Sequence, residues 1–480
     1  MNSVMSETYL KLWNREEQKR IDADIETYRK ADATEKLEGA ALGTEVEIRQ
    51  LKHSFVFGAH IFNFNQLGKD EYNARYRELY GTLFNSATVA FYWKKFEPEE
   101  GRPRFKAEFR DTAEYWNTVA DPKNEPHWRR PATDPVVEFC ESKGIRIHGH
   151  PLVWGHATWQ YPLWLAKKLP ERYSSTLRDF NRSAEGINYM RDLFDEFSAG
   201  QLEAMFPGYM MELHRQIARR ITEIALHYRG RINSWDVVNE SAVDFRDGRM
   251  VPGSGLCKSS YGLMPGDYTC RFFKTADGVF PGEVKLNIND YLLEQTYVDQ
   301  VKDLLDRRCR VDIMGAQMHL FQPQICQDIA DGKSDRQSPA QVRETRGRLA
   351  EAGLPIHLSE FAIASPTPDE RGQEIQATIA RNLYRLWFSL EKTMGITWWN
   401  VVDDCGAPGE PNVSGLFTRD MKPKKAYYAL NELIHNEWKT NLTAETDRDG
   451  VVSFRGFRGE YELNYRDSSG KTRSRRITVE

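Results

Sequence analysis

Short apolar runs alternate with longer amphipathic stretches through most of the chain. Eight runs of strand length lie between residues 53 and 403, and stretches with helical periodicity separate them. Near-continuous apolar strands that alternate with amphipathic helices are typical of a parallel sheet, so eight such units predict an α/β fold, a closed (β/α)8 TIM barrel. The predicted strands are HSFVFGA (53–59), FNSATVA (84–90), IRIHGHPLVW (145–154), RINSWDVVNE (231–240), VKLNIND (284–290), DIMGAQMHL (312–320), PIHLSEFAI (355–363) and GITWWNVVD (395–403).

The two ends of the chain have a different pattern from the barrel. Residues 7–30 read as a charge-rich amphipathic helix, and a strand-like run follows at 41–59. The tail, VVSFRGFRGEYELNY followed by TRSRRITVE, alternates polar and apolar residues and contains Gly-rich turns, which predicts two or three antiparallel strands. Because so few strands are not stable alone, we expect them to pair with residues 44–52 in a small β module. The predicted divisions are an N-terminal helix and strand (1–52), the barrel (53–438) and the C-terminal part of the module (439–480).

Two long segments, 165–207 and 241–282, do not fit a bare barrel. They follow the third and fourth predicted strands, so they would lie over the carboxyl-end face, where barrel enzymes build their sites. We expect them either to add contacts at that face or to block one end of a cleft in it.

Composition and charge exclude several classes of protein. The chain has 66 Lys and Arg against 70 Asp and Glu, a net charge of −4, whereas a nucleic-acid-binding protein would show a basic excess. No apolar run approaches the ~20 residues of a membrane span, and the first residues contain no apolar segment of the signal-peptide type. None of the six cysteines forms a CxxC pair, which argues against a structural zinc site. Cys257 and Cys270 could be bridged, but free thiols fit the sequence equally well.

Polar residues at the carboxyl ends of the predicted strands are the candidates for chemistry, because those ends share one face of a barrel. Glu240 ends the fourth strand and Glu360 ends the seventh, so both side chains would project into the same bowl. Two carboxylic acids that flank one bond are the apparatus of glycoside hydrolysis. One protonates the leaving oxygen, and the other attacks the anomeric carbon or activates water to do so.

The segment GIRIHGHPLVWGH contains three histidines and raises the question of a metal site. His148 and His150 are two residues apart, so on a strand both point to the same face. They could bind a metal with Glu240, His319 or Asp403 as further ligands, or they could line a sugar-binding cleft. The Asn, Gln and Trp residues at neighbouring strand ends suit hydroxyl recognition better, so we predict neither a metal nor another cofactor.

The strand-end motifs, taken in order, resemble those of glycoside hydrolase family 10, the retaining endo-β-1,4-xylanases. The resemblance covers about residues 50–436. WDVVNE and the ordered series are specific, while any other single motif would be weak. The motifs that carry it are GHPLVWGH, WDVVNE, LNINDY, GAQMHL, HLSEF and WWNVVDD on the third to eighth strands, followed by GLFTRDMKPKKAYYAL.

The resemblance implies that Glu240 is the acid/base and Glu360 the nucleophile of a double displacement. Asn239 would hydrogen-bond the 2-hydroxyl of the sugar at the cleavage site. His148 has no matching role, and we expect it in the packed core. The residues that would bind substrate are His150, Trp154, Asn239, Gln317, His319, Trp399 and Lys94.

The second strand departs from the family pattern. The family carries Thr-x-Glu-Asn-x-x-Lys there, which grips the next sugar along, whereas this chain has ATVAFYWKKFEPEEG. Lys94 stands where the family's Lys would be, but Tyr92 and its neighbours offer stacking rather than hydrogen bonds. Ala362 follows the nucleophile motif where the family usually has Asp. These changes leave the bond-breaking pair intact and alter the grip on the substrate.

The expected function is therefore hydrolysis of β-1,4 linkages in a xylan-like polysaccharide or oligosaccharide. The alternatives are the same chemistry on another or a decorated β-glycan, a non-catalytic glycan-binding barrel and a metal-dependent hydrolase. The presence of both Glu240 and Glu360 argues against a binding protein. The resemblance also implies a secreted or periplasmic location, although no signal peptide is visible in this sequence.

Overall fold

The secondary structure follows the predicted alternation of strands and helices. The computed structural model describes residues 4–156, 159–166, 200–201, 204, 208–250, 256–259 and 262–480. The strands are β1 (Lys30–Lys36), β2 (Glu45–His53), β3 (Val56–His60), β4 (Ser86–Ala90), β5 (Arg146–His150), β6 (Val153–Trp154), β7 (Ser234–Asn239), β8 (Phe245–Arg246), β9 (Arg249–Met250), β10 (Leu256–Ser259), β11 (Gly262–Pro265), β12 (Lys285–Asp290), β13 (Ile313–Leu320), β14 (Ile356–Ile363), β15 (Thr393–Trp398), β16 (Asn441–Glu445), β17 (Val451–Phe457), β18 (Gly459–Arg466) and β19 (Thr472–Val479). The helices are α1 (Glu7–Leu12), α2 (Arg15–Arg29), α3 (Asp70–Leu83), α4 (Trp93–Phe96), α5 (Ala113–Trp116), α6 (Thr133–Ser142), α7 (Leu163–Ala166), α8 (Tyr209–His227), α9 (Tyr268–Val279), α10 (Gln295–Asp306), α11 (Pro323–Ala330), α12 (Pro339–Ala350), α13 (Glu370–Ser389) and α14 (Lys425–Glu432).

A closed barrel of eight parallel strands forms the centre of the fold. Its strands are hydrogen-bonded in the order β3, β4, β5, β7, β12, β13, β14 and β15, and the pairing of β15 with β3 closes the ring. Every residue of β14 is buried, as expected for a strand covered on both sides. The predicted (β/α)8 TIM barrel is confirmed.

Gly149 on β5 allows close packing against β7 beside the site. A Cβ on Gly149 of β5 would lie 2.2 Å from the ring of Trp235 on β7, and real Cβ atoms do not come so close. Trp235 is completely buried. The glycine in the GHP segment therefore allows a tryptophan to fill the barrel interior next to His148 and His150.

Both ends of the chain contribute to one antiparallel β module, as the alternating pattern predicted. β2 lies between β16 and β18, and β19 extends the sheet, while β1 pairs separately with β17. Val46 and Ile48 of β2 are completely buried against Leu463 and other residues of the tail. The tail from residue 451 contains three strands, which agrees with the expected two or three, and β16 precedes it. The predicted helix at 7–30 is two helices, and Asn14 between them accepts hydrogen bonds from the first N–H groups of α2.

The two long segments have different outcomes. Most of 165–207 lies outside the described residues. Within 241–282, α9 is the barrel helix that leads to β12, so the prediction of one long excursion was wrong for that part.

Cys270 on α9 is free, and its sulfur lies 3.1 Å from that of Cys309, while the side chain of Cys257 is outside the described residues. Among the described residues, no helix has the length and apolar character needed to cross a membrane.

Candidate active site

The carboxyl ends of the barrel strands surround a cleft of about 650 Å³. It combines side chains from β5, β6, β7, β13 and β14 with the residue that follows β15. Of the nine residues predicted to act on substrate, those that line the cleft are His150, Trp154, Asn239, Glu240, Gln317, His319, Glu360 and Trp399.

Lys94 is the exception among the predicted site residues. It lies in the short helix α4, and it is not among the described residues that line the cleft. Burial, and then the charge of Lys95, lower the pKa of its ammonium to about 8. Its charge also adds to burial in lowering the pKa of the His156 imidazole to about 4. A substrate-binding role for Lys94 stays a prediction.

Glu240 follows β7 in a backbone conformation that amino acids other than glycine rarely adopt. Its φ is 53°, in the left-handed region. The N–H of Glu240 donates to the carbonyl of Asn289 on the neighbouring strand at 2.7 Å, which holds this conformation in place. Strained residues of this kind are concentrated at active sites. Here the strain occurs at the residue that the sequence predicts as the acid/base.

The environment of the Glu240 carboxyl favours its neutral form. Burial, and then the charge of Glu360, raise the pKa of this carboxyl to about 8. Gln317 Nε2 donates a hydrogen bond to Oε1 at 3.1 Å, which opposes the shift without cancelling it. At neutral pH Glu240 therefore carries a proton that it can give to a leaving group.

Glu360 is buried in the same cleft and is held by hydrogen bonds. Asn289 Nδ2 donates to Oε1 at 2.8 Å, and His319 Nε2 lies 3.3 Å from Oε2. His150 Nε2 is 3.7 Å from Oε1. Partners at both oxygens fix the orientation of the carboxyl group, as an attack on a bound sugar requires.

Asn289 connects the two halves of the site. Its Nδ2 also donates to Asn239 Oδ1 at 2.8 Å, and it accepts a hydrogen bond from the Ser359 hydroxyl. Gly315 on β13 makes room for this side chain, because a Cβ there would lie 2.4 Å from Asn289 Oδ1. Asn289 belongs to the LNINDY motif of the fifth predicted strand, and the sequence analysis gave it no role. The structure identifies it as the residue that positions Glu360.

The two histidines of β5 share one buried carboxylate. Asp236 Oδ2 lies 2.8 Å from His148 Nε2 and 2.7 Å from His150 Nδ1. Burial alone would raise the pKa of Asp236, but the two imidazoles outweigh it and hold this pKa below its ordinary value. Because a carboxylate only accepts, His150 donates its Nδ1–H to Asp236 and directs Nε2 to the Tyr92 hydroxyl at 3.1 Å. His148 is buried and outside the cleft lining, as expected.

The hydrogen bonds of His148 and His150 determine whether these side chains are available to bind a metal. Both imidazoles are used in hydrogen bonds to Asp236. Within the described part of the chain, no group of three or more His, Cys, Asp or Glu side chains has the arrangement to hold a metal ion. The other ring nitrogen of His150, Nε2, contacts Tyr92 in the cleft lining.

Aromatic rings form one wall of the cleft. Trp399 packs edge-on against Phe62 and His150, with ring centroids 5.3 Å and 5.7 Å apart. Tyr92 packs edge-on against Trp154 at 5.8 Å. Such rings give flat apolar surfaces beside polar groups, the combination by which proteins orient sugars.

A polar cluster behind this wall was missed by the sequence analysis. Arg129 Nη1 pairs with Glu410 Oε2 at 3.1 Å, and Glu410 Oε1 accepts a hydrogen bond from Trp399 Nε1 at 3.1 Å. Burial opposes ionisation of Glu410, but Arg129 and three hydrogen bonds lower its pKa to about 2. Arg129 and Glu410 both lie in loops, so inspection of strand ends could not find them. The cluster fixes Trp399 in position.

Comparisons with known proteins agree with the motifs and the fold. The model of the family described as Glycosyl hydrolase family 10 matches residues 51–433. Endo-1,4-beta-xylanase B of Thermotoga neapolitana is 23% identical over 338 residues, and the match covers 68% of this chain and 79% of that protein. The anti-sigma-I factor RsgI6 of Acetivibrio thermocellus is 24% identical over 336 residues, and the match covers 69% of this chain but only 34% of that longer protein.

Solved structures share the barrel architecture. Native xylanase 10B of Thermotoga maritima superposes with a TM-score of 0.54 at 20% identity, and the match covers 80% of this chain and 96% of that one. Xylanase 10B of Thermotoga petrophila, solved in complex with xylobiose, gives the same TM-score and identity, with 80% and 95% covered. Likeness at this identity shows the fold, and the family match spans well over half of the sequence. The chain therefore belongs to glycosyl hydrolase family 10, the family of retaining endo-β-1,4-xylanases.

Proposed function

We propose that this protein cleaves β-1,4 linkages of a xylan-like glycan by double displacement, with Glu240 as acid/base and Glu360 as nucleophile. One observation carries the proposal: two carboxyl groups project into one cleft, and the environment of one of them, Glu240, favours its protonated form. Burial raises the pKa of Glu240 to about 8, while Asn289 and His319 lie within hydrogen-bond distance of the two Glu360 oxygens. A carboxyl group that keeps its proton beside a second carboxyl group is placed to act as the general acid.

In the first step, the Glu360 carboxylate attacks the anomeric carbon of the sugar. The bond from that carbon to the glycosidic oxygen breaks, and Glu240 gives its proton to this oxygen as it leaves. The product is a glycosyl ester of Glu360 and a free hydroxyl on the leaving sugar. Formation of the ester removes the charge of Glu360, which is a main cause of the raised pKa of Glu240.

In the second step, Glu240 acts as a base. It is now ionised, and its pKa falls because the charge of Glu360 is gone. It accepts a proton from water while the water oxygen attacks the anomeric carbon and the ester bond breaks. This restores the proton on Glu240 and the charge on Glu360, so the same two groups serve each cycle.

The other cleft residues suit the binding of a sugar at the reacting centre. Asn239 is next to the acid/base, and its amide is oriented by the hydrogen bond from Asn289. Gln317 and His319 reach the two carboxyls from β13. Trp399 and Trp154 offer flat surfaces for the apolar face of the ring. These contacts, together with family membership, support a xylan-like substrate.

A second candidate is the same chemistry on a decorated or different β-glycan. The observation that favours it is the wall formed by Tyr92, Arg129 and Arg130. The second strand also lacks the Glu and Asn of the family pattern, so the contacts offered to the neighbouring sugar differ from those of the family. The bond-breaking pair is the same in both candidates, so they differ only in the glycan chain that the cleft accepts.

Kinetics on a panel of xylo-oligosaccharides, gluco-oligosaccharides and aryl β-xylosides test the proposal. We expect Glu360→Ala to lose all detectable turnover. Glu240→Ala should slow release of sugar leaving groups by about 10²–10⁴-fold, with less effect on activated aryl leaving groups that do not need a proton. Glu294→Ala is the matched control, because Glu294 lines the same cleft and contacts neither catalytic carboxyl.

Azide addition separates the two roles of the carboxyls. With Glu360→Ala and an activated aryl glycoside, azide should restore turnover and yield the α-glycosyl azide, because it enters from the face that Glu360 leaves open. With Glu240→Ala it should yield the β-glycosyl azide. If the wild type binds glycans without cleaving any of them, and both variants bind equally well, the binding-protein alternative replaces the proposal.

We also propose a secreted or periplasmic location. The support is the substrate: a polymeric xylan is met outside the cytoplasm. Fractionation of the native organism would test this, and recovery of all the protein in the cytoplasmic fraction would contradict it.

A further inference from the structure

Arg130 is a buried cation in the wall of the cleft. Its side chain is 8% exposed and belongs to the cleft lining. Nη1 donates to the carbonyl of Arg129 at 2.7 Å. The guanidinium carbon lies 3.7 Å from the ring centre of Tyr92 and 5.1 Å from that of Phe62. In the described part of the chain, no carboxylate lies within ion-pair distance of it.

The neighbouring arginines have carboxylate partners where Arg130 has none. Arg129 pairs with Glu410 at 3.1 Å. Arg104, which donates to the carbonyl of Arg130 at 3.0 Å, forms a close ion pair with Asp111. Arg129 and Arg104 are therefore neutralised by carboxylates. Arg220, which is also buried nearby, has no carboxylate partner but donates to the backbone carbonyls of Leu152 and Pro151. Among the described residues, the hydrogen bonds of Arg130 go to a single backbone carbonyl.

A buried cation without a counter-charge is unfavourable, and the pKa of Arg130 reports this. Burial is the largest influence and lowers it to about 10. The guanidinium still carries its charge at neutral pH. The face of the Tyr92 ring offers a cation–π contact, which compensates only part of the lost hydration. Binding neutral hydroxyls would not require this arrangement, because amide and hydroxyl side chains do that work without a buried charge.

Arg130 is also close to the reacting centre. Tyr92, on which it stacks, has its hydroxyl 3.1 Å from His150 Nε2. The same nitrogen is 3.7 Å from Glu360 Oε1. One aromatic ring and one imidazole thus separate Arg130 from the nucleophile, so a group bound by Arg130 would belong to the glycan that occupies the cleft.

We infer that Arg130 binds a carboxylate carried by the glycan, so that the protein prefers a β-linked chain containing uronic acid to its neutral counterpart. A guanidinium matches a carboxylate in geometry and can form two parallel hydrogen bonds to it. The uronate would supply the counter-charge that the protein does not provide. This inference rests on the proposed function and names its substrate class.

The test compares three xylo-oligosaccharides of equal length. One carries a glucuronic acid branch, one carries the same branch reduced to glucose, and one has no branch. For the wild type, we expect kcat/KM on the acidic oligosaccharide to exceed that on the reduced one by about 10- to 100-fold, the range for hydrogen bonds to charged groups. A linear oligomer that contains uronic acid in its main chain tells whether the carboxylate comes from a branch or from the chain itself.

Two substitutions assign the preference to Arg130. Arg130→Met should bring the ratio of acidic to reduced substrate close to one, while Arg130→Lys should retain part of it. The matched control is Arg336→Met, because Arg336 is an exposed arginine of the same cleft. It should leave the ratio within about twofold of the wild type, since an exposed charge contributes little.

The outcomes separate this inference from the proposed function. A wild type that cleaves the neutral chain and shows no preference for the acidic one overturns the inference and leaves the function standing. The same holds if Arg130→Met lowers kcat/KM equally on both substrates. A wild type that cleaves none of the oligosaccharides refutes the proposed function itself. If Arg130→Met does not fold, the inference is tested by the wild type alone, through the ratio of kcat/KM on the acidic oligosaccharide to kcat/KM on the reduced one.

Discussion

Removal of the charge on Glu360 should lower the pKa of Glu240, because that charge is the second cause of its elevation after burial. A pKa of about 8 against an ordinary 4.5 means that the folded protein favours the protonated carboxyl by roughly 5 kcal/mol. A unit charge ~5 Å away, the carboxyl spacing typical of retaining glycosidases, contributes about 3 kcal/mol at an effective dielectric of ~20. This corresponds to about 2 pH units, so we expect Glu360→Gln to lower the pKa of Glu240 to roughly 6, where burial still holds it above its ordinary value.

The assay is a ¹³C NMR titration of glutamate-labelled protein, which reads the carboxyl without requiring activity. The wild type should show a carboxyl that titrates near 8 and is absent from the spectrum of Glu240→Gln. Because Glu240 and Glu360 interact, the quantity compared between the wild type and Glu360→Gln is the apparent pKa of the Glu240 carboxyl. Activity provides a second reading, because kcat/KM should fall on the alkaline side as Glu240 loses its proton.

Glu294→Gln is the matched control for this experiment. Glu294 lines the same cleft but is not among the groups that shift the pKa of Glu240. The titration near 8 should therefore be unchanged in that variant. The reasoning is refuted if Glu360→Gln titrates as the wild type does, or if the wild-type carboxyl titrates near 4.5.

Further predictions concern stability, positioning and metal dependence. The raised pKa of Glu240 stabilises the fold fully below about pH 4.5, and this contribution is lost as the pH rises through about 8. Glu240→Gln should therefore match the wild type in Tm at pH 5 and exceed it at pH 9, and a lower Tm at pH 9 would contradict this. Asp236→Asn should lower kcat/KM by about 10–100-fold, because His150 loses a charge-assisted hydrogen bond that sets its tautomer; unchanged kcat/KM would argue against that role. Gly149→Ala should cost about 1–3 kcal/mol in urea denaturation, since its Cβ would overlap the ring of Trp235. Activity should survive EDTA, and loss of activity that added metal restores would revive the metal hypothesis.

The sequence predicted the family, the barrel and the convergence of eight side chains on one cleft for a definite physical reason. Parallel strands of a barrel end on one face, so polar residues at strand ends converge whatever their distance along the chain. Glu240 and Glu360 were found by this rule. The family match over residues 51–433 and the closed ring of strands confirm the expected family and fold.

The cleft residues that the sequence analysis missed lie outside the barrel strands. Arg129, Arg130 and Glu410 reach the cleft through loops, whose paths have no periodicity to read. Lys94 was assigned by its position in a segment that departs from the family pattern, and its role in binding substrate stays a prediction. β16 was not predicted, because a five-residue strand between the last barrel helix and the tail is too short to show a clear alternation.

The placement of β2 has a consequence for the order in which the protein can form. Lys52 on β2 bonds to Glu460 on β18, 408 positions later in the chain. During synthesis, the ribosome would complete every barrel strand before the neighbours of β2 exist, and contacts between such distant segments are slow to form. Val46 and Ile48 would stay uncovered throughout that interval. A nascent chain stalled before residue 441 would thus expose an unpaired strand edge, so the risk of aggregation is high between the synthesis of β2 and that of its partner strands.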